Sequence, residues 1–402
     1  MTTGDPTWAV TWETLPWTSG HHPFPTSRAQ RARIRPTYEA AIPATIAALD
    51  VHVEPAALAA ADDARAEISR FDAELSTVLP GAEIAPLTAV LLRSESASSS
   101  QIENITARAK ALALAELGAA KFGSNAELVA GNVDAMNRAL DLDEGVTPAS
   151  ILAIHAALMR GQDYAAPGAF RSEQVWIGGS AASPHGAAFV PPYHARVAAA
   201  IDDLCAFTAR SDIPLLAQAA IAHAQFETIH PFNDGNGRSG RAIVHAILRQ
   251  AGATTRATVP VSAGLLTDTA SYFAALTAYR DGDPGPIVTR FAEAAFAAIG
   301  NGRRLAADLL DVHGRWAEAI TARRTAAVWR LLPQLLSRPA VTSARVRELT
   351  GLSQPAADSV IDQLRTAGVL SKAAGSRRYA IWVATDVTDA LDAFAERARR
   401  GR

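Results

Sequence analysis

The chain has 402 residues, 49% of them hydrophobic and 19% charged, with a formal net charge of −2. That length supports two or three domains and a sizeable core, while the near-zero charge provides no global field to pull the chain onto nucleic acid or anionic lipid. The lone cysteine, Cys205, excludes a disulfide framework and any cysteine-based metal site; with no basic patch leading into an apolar run at the start and no uncharged apolar stretch of about 18 residues elsewhere, the expectation is a soluble, cytoplasmic protein with no membrane partner.

Aromatics are only 6% of the chain, so its hydrophobic share rests on alanine, a strong helix former that fills volume poorly. The expected fold class is therefore mostly α. Lysine occurs only at Lys110, Lys121 and Lys372, the other basic residues being arginine. Together with the alanine content this suggests a high-GC bacterial genome.

Residues 1–35, rich in Trp, Pro, Thr and His, read as an extended N-terminal arm or strand pair whose Trp8, Trp12 and Trp17 pack back on the body. From about Thr37 the texture is helical. Helices are predicted at Ala56–Leu75 and Ala85–Ala119, within an N-terminal helical region 36–122. A core spanning 123–300 follows, with helices at Ala126–Leu140, Pro148–Met159, Val197–Ala209, Ile213–Ile229, Gly237–Gln250 and Thr267–Arg280. Helix Gly285–Trp329 leaves the core through a linker, 301–318, into a C-terminal domain, 319–402. Stops are Gly-Pro-Asp clusters such as Asp281-Gly282-Asp283-Pro284-Gly285.

Two segments break this texture. In Gln174–Pro192, the apolar runs Val175-Trp176-Ile177 and Ala188-Phe189-Val190 flank a Gly/Ser/Pro/His stretch, the pattern of a β-hairpin flap. At the C-terminus, a short helix Thr342–Thr350 stops at Gly351, and Ser353 is placed to cap a second helix running to Ala367. Strands at Leu370 and Tyr379–Val383 flank the turn Ala374–Arg378. Helix, turn, helix and two-stranded wing describe a winged helix-turn-helix.

One window concentrates chemistry: His230-Pro231-Phe232-Asn233-Asp234-Gly235-Asn236-Gly237-Arg238-Ser239-Gly240-Arg241. It is a polar loop running into a helix N-terminus, where free N–H groups and the dipole favour an anion. Gly235 and Gly237 permit close backbone approach. Arg238 and Arg241 suit phosphate, Asp234 is a hard oxygen ligand suited to Mg2+, and His230 titrates near neutrality and can act as a base. Gly235-x-Gly237-x-x-Gly240 formally matches a dinucleotide fingerprint, but a helix rather than a strand precedes it and no acid follows at the required distance. There is no Gly-Lys-Ser/Thr P-loop, and no lysine on a following strand as in a kinase. A plain structural loop with a helix-capping Asp or Asn remains an alternative.

The window resembles the signature of the Fic family, His-Pro-Phe-x-(Asp/Glu)-Gly-Asn-Gly-Arg-x-x-Arg, with every specified position filled. The resemblance implies a helical core with a β-hairpin flap and transfer of AMP from Mg-ATP to a hydroxyl side chain of a target protein. It implies His230 as the base, Asp234 as the Mg2+ ligand, and Asn236, Gly235 and Gly237 cradling the α- and β-phosphates. Arg238 and Arg241 would bind the β- and γ-phosphates, and Phe232 would anchor the loop.

Ser99, Glu103 and Asn104 match the family's inhibitory pattern (Ser/Thr)-x-x-x-Glu-(Gly/Asn), in which the glutamate would pair with Arg241 and deny it to the γ-phosphate. Gly179, Phe189 and Val190 fall in the flap that would align the target as an added strand. Tyr272 and Phe273 resemble a pair near the adenine pocket, or are ordinary core aromatics. His223, seven residues before His230 on the same helical face, reads as core, and His21, His22, His185 and His194 as loop or flap residues.

In the C-terminal module, Gln354 and Ser359 of the second helix are placed to reach bases, but Arg338–Glu396 holds seven basic and seven acidic residues. DNA is a poorly supported partner on that balance, and a target-recruiting or dimerising module, including a homodimer, fits better. Two alternative functions stand beside AMP transfer: removal of AMP from a modified protein, and nucleotide sensing by a DNA-binding regulator.

Overall fold

The computed structural model describes residues 8–17, 27–75, 85–121, 123–142, 145–255, 257–323, 325–374 and 380–399. The expected loop residues His21 and His22 and the turn at Gly375–Arg378 lie outside these. The described residues are mainly helical, with one two-stranded and one three-stranded sheet. No helix among them is long and apolar enough to cross a membrane. The chain forms two units, each assembled from three segments: 1–62, 137–251 and 270–291 in the first, and 63–136, 252–269 and 292–402 in the second.

The first unit opens with the expected strand pair. Thr11–Pro16 runs antiparallel to Thr37–Ile42, Thr11 opposite Ile42 and Pro16 opposite Thr37. The helical texture expected from Thr37 is thus corrected. Tyr38 and Ala40 are buried while Thr37 and Glu39 are exposed, a period-two pattern that a strand satisfies and a helix does not. Trp8 is buried and donates to the Asp50 carbonyl at 3.2 Å. Trp17 packs edge-on against Tyr38 and Trp176, both at 5.8 Å. Trp12 remains half exposed, its ring edge-on to Phe189 with centroids 6.0 Å apart.

The flap is less regular than a hairpin. It holds two isolated antiparallel bridges, Ile177 with Phe189 and Ser180 with Ser183. Beyond Phe189 it leans on the strand pair, Ala41 N donating to Val190 O at 3.0 Å.

The centre of the first unit is helix Leu215–Ile229, where every residue from Leu216 to Ile229 is buried. Such a helix has no solvent face, and its alanines let neighbours approach. It packs against helices Val197–Thr208 and Asn236–Gln250, and the latter also meets Pro148–Leu158. That last helix starts cleanly: Thr147 Oγ1 accepts from Ser150 N, Ser150 Oγ accepts from Thr147 N, and Pro148 fills the first turn.

In the second unit, the helix expected over Ala85–Ala119 is broken into Ala85–Ile102 and Ala109–Ala115. The break is at Asn104, which takes a left-handed φ of 60°. Ser94, Ser96, Ser98, Ser99 and Ser100 are all buried. Asn132 Nδ2 donates to Ser96 O at 2.8 Å and Ser100 Oγ at 3.2 Å, so the serines form a close-packing face. The long helix ends at Ala319 rather than Trp329, and a separate helix spans Val328–Ser337.

The C-terminal order is strand Ala340–Thr342, helices Ser343–Thr350 and Gln354–Thr366, then strands Ser371–Ala374 and Ile381–Val383, with Ile381–Val383 central in the sheet. Ser353 sits at the cap position of its helix but makes no capping hydrogen bond, whereas Thr342 Oγ1 caps the preceding helix through Arg345 N at 3.2 Å.

Candidate functional site

The signature window joins the buried helix Leu215–Ile229 to helix Asn236–Gln250. His230 is the residue that ends the first helix. It takes φ 49° and ψ 62°, and its N–H still donates to Phe226 O at 2.8 Å. A non-glycine residue in this region is strained and must be held there.

Arg171 does the holding. Its side chain is 3% exposed. Nε donates to His230 O at 2.8 Å, Nη1 to Glu173 O at 3.0 Å and Nη2 to Pro192 O at 2.5 Å, while its own N–H donates to Pro231 O at 2.9 Å. One buried guanidinium therefore ties the histidine's backbone to both ends of the flap. Burial pushes its pKa down to about 10, still well above neutrality.

The loop is pinned from inside. Phe232 is fully buried and stacks on His155, centroids 3.6 Å apart and planes within 3°. His155 Nδ1 accepts from Gly168 N at 3.1 Å, which leaves Nε2 to donate to Asp234 O at 3.1 Å. Burial pushes His155 down to about 4, so it is neutral and fixed in one tautomer. Asn236 spends its side-chain amide on Phe232, accepting from its N–H and donating to its carbonyl, both at 2.9 Å. Gly235, at φ 79°, has no room for a Cβ, which would lie 2.9 Å from Met159 Sδ. At Gly240 a Cβ would come 2.9 Å from Phe226 Cδ1. This glycine, an unspecified position in the signature, sets how closely the two helices approach.

The side chains with chemistry stand around this frame. The His230 ring is mostly buried, with Nδ1 3.9 Å from Glu227 Oε2. Burial, with Arg171 and Arg280 adding positive charge, pushes its pKa down to about 3. Asp234 is half exposed; Oδ1 accepts from Gly235 N at 2.6 Å and Oδ2 from the Tyr164 hydroxyl at 3.1 Å. Arg238 is buried, its Nη2 3.7 Å from Asp234 Oδ1, and Arg241 is buried with it on the same helix. Arg241 is close enough to His223 to help burial push that imidazole down to about 3.

His223 is a core residue as expected, with Nε2 2.7 Å from the Tyr272 hydroxyl. Tyr272 is thereby a buried partner of His223, and only Phe273 of the pair has an exposed ring. Phe189 and Val190 also point inward, Phe189 lying under the Arg280 guanidinium at 3.9 Å, while Gly178 and Gly179 form the exposed turn at φ near +70°. Burial pushes the Cys205 thiol up to about 12, which leaves no thiolate to compete as a nucleophile.

The inhibitory pattern lies in the second unit. Ser99 is buried and Glu103 is exposed as the first residue past helix Ala85–Ile102. Asn104 closes the turn in the left-handed region, with Ile105 N donating to Ser100 O at 3.0 Å. That conformation explains why a Gly or Asn follows the glutamate.

Arg171, His155 and Tyr164 have no counterpart in the expected site. Each stands alone in its sequence neighbourhood, and only the fold brings it to the loop.

Fold and site together define a helical domain whose glycine-bounded loop is locked at a helix N-terminus beside a buried neutral histidine. Residues 145–248 match the Fic/DOC family, and residues 58–141 match the Fic/DOC family N-terminal region. In these two regions the chain is similar to the Fic/DOC family.

Its curated relatives include the protein adenylyltransferase Fic of Drosophila willistoni, 32% identical over 110 residues that make up 27% of this chain and 20% of that protein. A probable protein adenylyltransferase of Aquifex aeolicus is 33% identical over 110 residues, 27% of this chain and 32% of that one. The chain thus matches about a fifth to a third of these relatives' lengths. A solved structure of a Fic family protein from Desulfovibrio desulfuricans aligns with a TM-score of 0.52 at 21% identity, covering 83% of this chain and 97% of that one, and shows the shared fold.

Proposed function

We propose that the protein transfers AMP from ATP to a hydroxyl side chain of a target protein, with His230 as general base. The observation that carries this is the neutral His230 ring, held in a strained backbone conformation by Arg171 at the start of the loop that leads into a helix N-terminus bearing Arg238 and Arg241. With Nδ1 buried beside Glu227, Nε2 is the nitrogen left for a hydroxyl. A base at about 3 is weak, but the negative charge of a bound triphosphate would raise it toward neutrality.

The hydroxyl oxygen bonds to the α-phosphorus, its proton passes to His230, and the α-phosphorus–oxygen bond to pyrophosphate breaks. Helix N–H groups around Gly235 and Gly237 and the two arginines take up the phosphate charge.

Mg2+ fits the loop as a single-carboxylate ligand set. Asp234 is half exposed, and no group of three or more His, Cys, Asp or Glu is gathered among the described residues. A cation there would draw its remaining ligands from phosphate and water. When bound, it would neutralise charge on the polyphosphate.

Restraint by Glu103 is part of the same proposal. Its exposed position after the helix end suits a carboxylate that competes with phosphate for Arg241. The Ala340–Val383 segment, ordered as in a winged helix-turn-helix, is read as a target-recruiting module. Gln354 donates to Ser343 and Asp358, and Arg365 is paired with Asp362 and lies over Trp382, so the reading helix offers little to a base or phosphate.

Labelling with α-32P ATP tests the proposal. His230→Ala abolishes transfer to protein, and Glu103→Gly raises it, self-modification included. Transfer unchanged in the first variant refutes His230 as the base; no rise in the second refutes the restraint.

A further inference from the structure

The second unit contains a cavity that none of this chemistry uses. Its floor is one face of helix Ala85–Ile102: Ser94, Ala97, Ser98 and Gln101, at the spacing that stacks side chains along a helix. Leu112 and Phe394 form apolar walls, and the unfilled space, with the open solvent at its mouth included, is about 620 Å³.

The charged groups at its rim are spoken for. Arg93 is bonded to Glu116 and the Ser337 carbonyl, and Asp392 Oδ1 accepts from Ala109 N at 2.9 Å. One lining group stands out. Ser94 is 5% exposed, and its hydroxyl makes no hydrogen bond. A buried polar atom left in this state is rare in native proteins and is relieved by a bound partner.

We propose that this cavity binds a small neutral molecule, largely apolar with one hydroxyl or carbonyl group, and that its occupancy acts on the Glu103 turn. The apolar walls and internally satisfied charges select a neutral ligand, and Ser94 supplies the hydrogen bond. The regulatory half rests on the restraint proposed for Glu103.

Both arms of that turn are cavity walls: Gln101 comes just before Glu103, and Thr106 and Ala107 just after it. An outer groove is also lined by Gln101, Thr106 and Ala107. A ligand that parts these walls therefore displaces the residues presenting the carboxylate.

The test uses the full chain and two probes, benzyl alcohol and toluene, titrated without nucleotide and followed by ligand-observed NMR. Benzyl alcohol is expected to bind saturably at millimolar concentration or tighter, several-fold more tightly than toluene. Ser94→Ala removes that preference while toluene still binds, and Ala97→Phe, which fills the floor, abolishes binding of both. A melting curve for each variant reports whether it is folded, and Ser94→Ala, which only deletes an oxygen, carries the test if Ala97→Phe is not.

Absence of saturable binding, or undiminished binding in both variants, overturns the site. In the transfer assay benzyl alcohol is expected to raise wild-type labelling at least twofold and leave Glu103→Gly unchanged. Binding without that rise, in a protein that Glu103→Gly does activate, overturns the regulatory half. If Glu103→Gly itself gives no activation, the restraint fails and the binding result stands by itself.

Discussion

Arg171→Met removes one guanidinium and keeps most of its stem volume. The lost hydrogen bonds are those to His230 O, Glu173 O and Pro192 O, all at 3.0 Å or less. Bonds from a charged donor contribute about 1.5–3 kcal/mol each, or roughly 4–9 kcal/mol together. Against this stands the cost of burying the charge, visible in the fall of the guanidinium pKa from 12.5 to about 10. That fall corresponds to roughly 3 kcal/mol. The difference predicts a loss of about 1–6 kcal/mol in stability, measured by urea unfolding of the full chain.

Function follows from what is released: the backbone of His230 is freed from its left-handed conformation, and the flap ends at Glu173 and Pro192 lose their tie to it. Labelling from α-32P ATP should therefore fall at least tenfold through kcat, with KM for ATP changed less. Arg171→Lys should recover part of the stability and little of the rate, because one ammonium cannot span three carbonyls lying in different directions. A variant within about 0.5 kcal/mol of wild type, a difference typical of an inert surface change, would refute the reasoning, as would undiminished labelling.

Other substitutions and pH probe the same frame. His155, His223 and His230 all have folded-state pKa values pushed down, to about 4, 3 and 3. Their unfolded forms bind protons first as pH falls, so the stability they contribute is complete above about pH 6.5 and is lost progressively toward pH 3–4. Thermal melts should thus drop steadily below pH 6.5, each histidine costing about 2 kcal/mol by pH 5; a flat profile across that window contradicts their neutral burial. Gly240→Ala places a methyl 2.9 Å from Phe226 and should cost about 1–3 kcal/mol, read in denaturant midpoints. Asn104→Gly should leave stability within about 0.5 kcal/mol, while Asn104→Val should lower it by about 1–2 kcal/mol, since only the glycine tolerates a φ of 60° without strain. Equal stabilities for the two variants would show that the turn does not hold Asn104 in that conformation.

Much of the architecture was legible because helix is a local property. The alanine-rich runs at Pro148–Leu158, Val197–Thr208, Leu215–Ile229 and Asn236–Gln250 appear within a residue or two of their expected bounds. Errors fell where local texture was ambiguous. Thr37–Ile42 has the composition of either element, and its partner Thr11–Pro16 decides for strand. The break after Ile102 carries no glycine or proline; a left-handed asparagine makes it.

The loop was legible for a different reason. Its residues are contiguous, so His230, Asp234, Asn236, Arg238 and Arg241 stand together in the chain as they do in space. Their individual duties were not. The side chain of Asn236 is occupied by the loop's own backbone, and Tyr272 by His223.

By itself, the sequence determined a helical protein with a phosphate-suited loop at a helix N-terminus, a single cysteine that excludes a disulfide framework, and arginine in place of lysine. These follow from composition and short-range spacing. Only the tertiary structure decided that Arg171 and His155, 59 and 79 residues from the backbone groups they bind, hold the loop in shape. Only it decided that Ser94 lines a cavity rather than a surface. A hydrogen bond between distant residues leaves no periodic trace in a sequence, because it depends on packing that many unrelated positions create together.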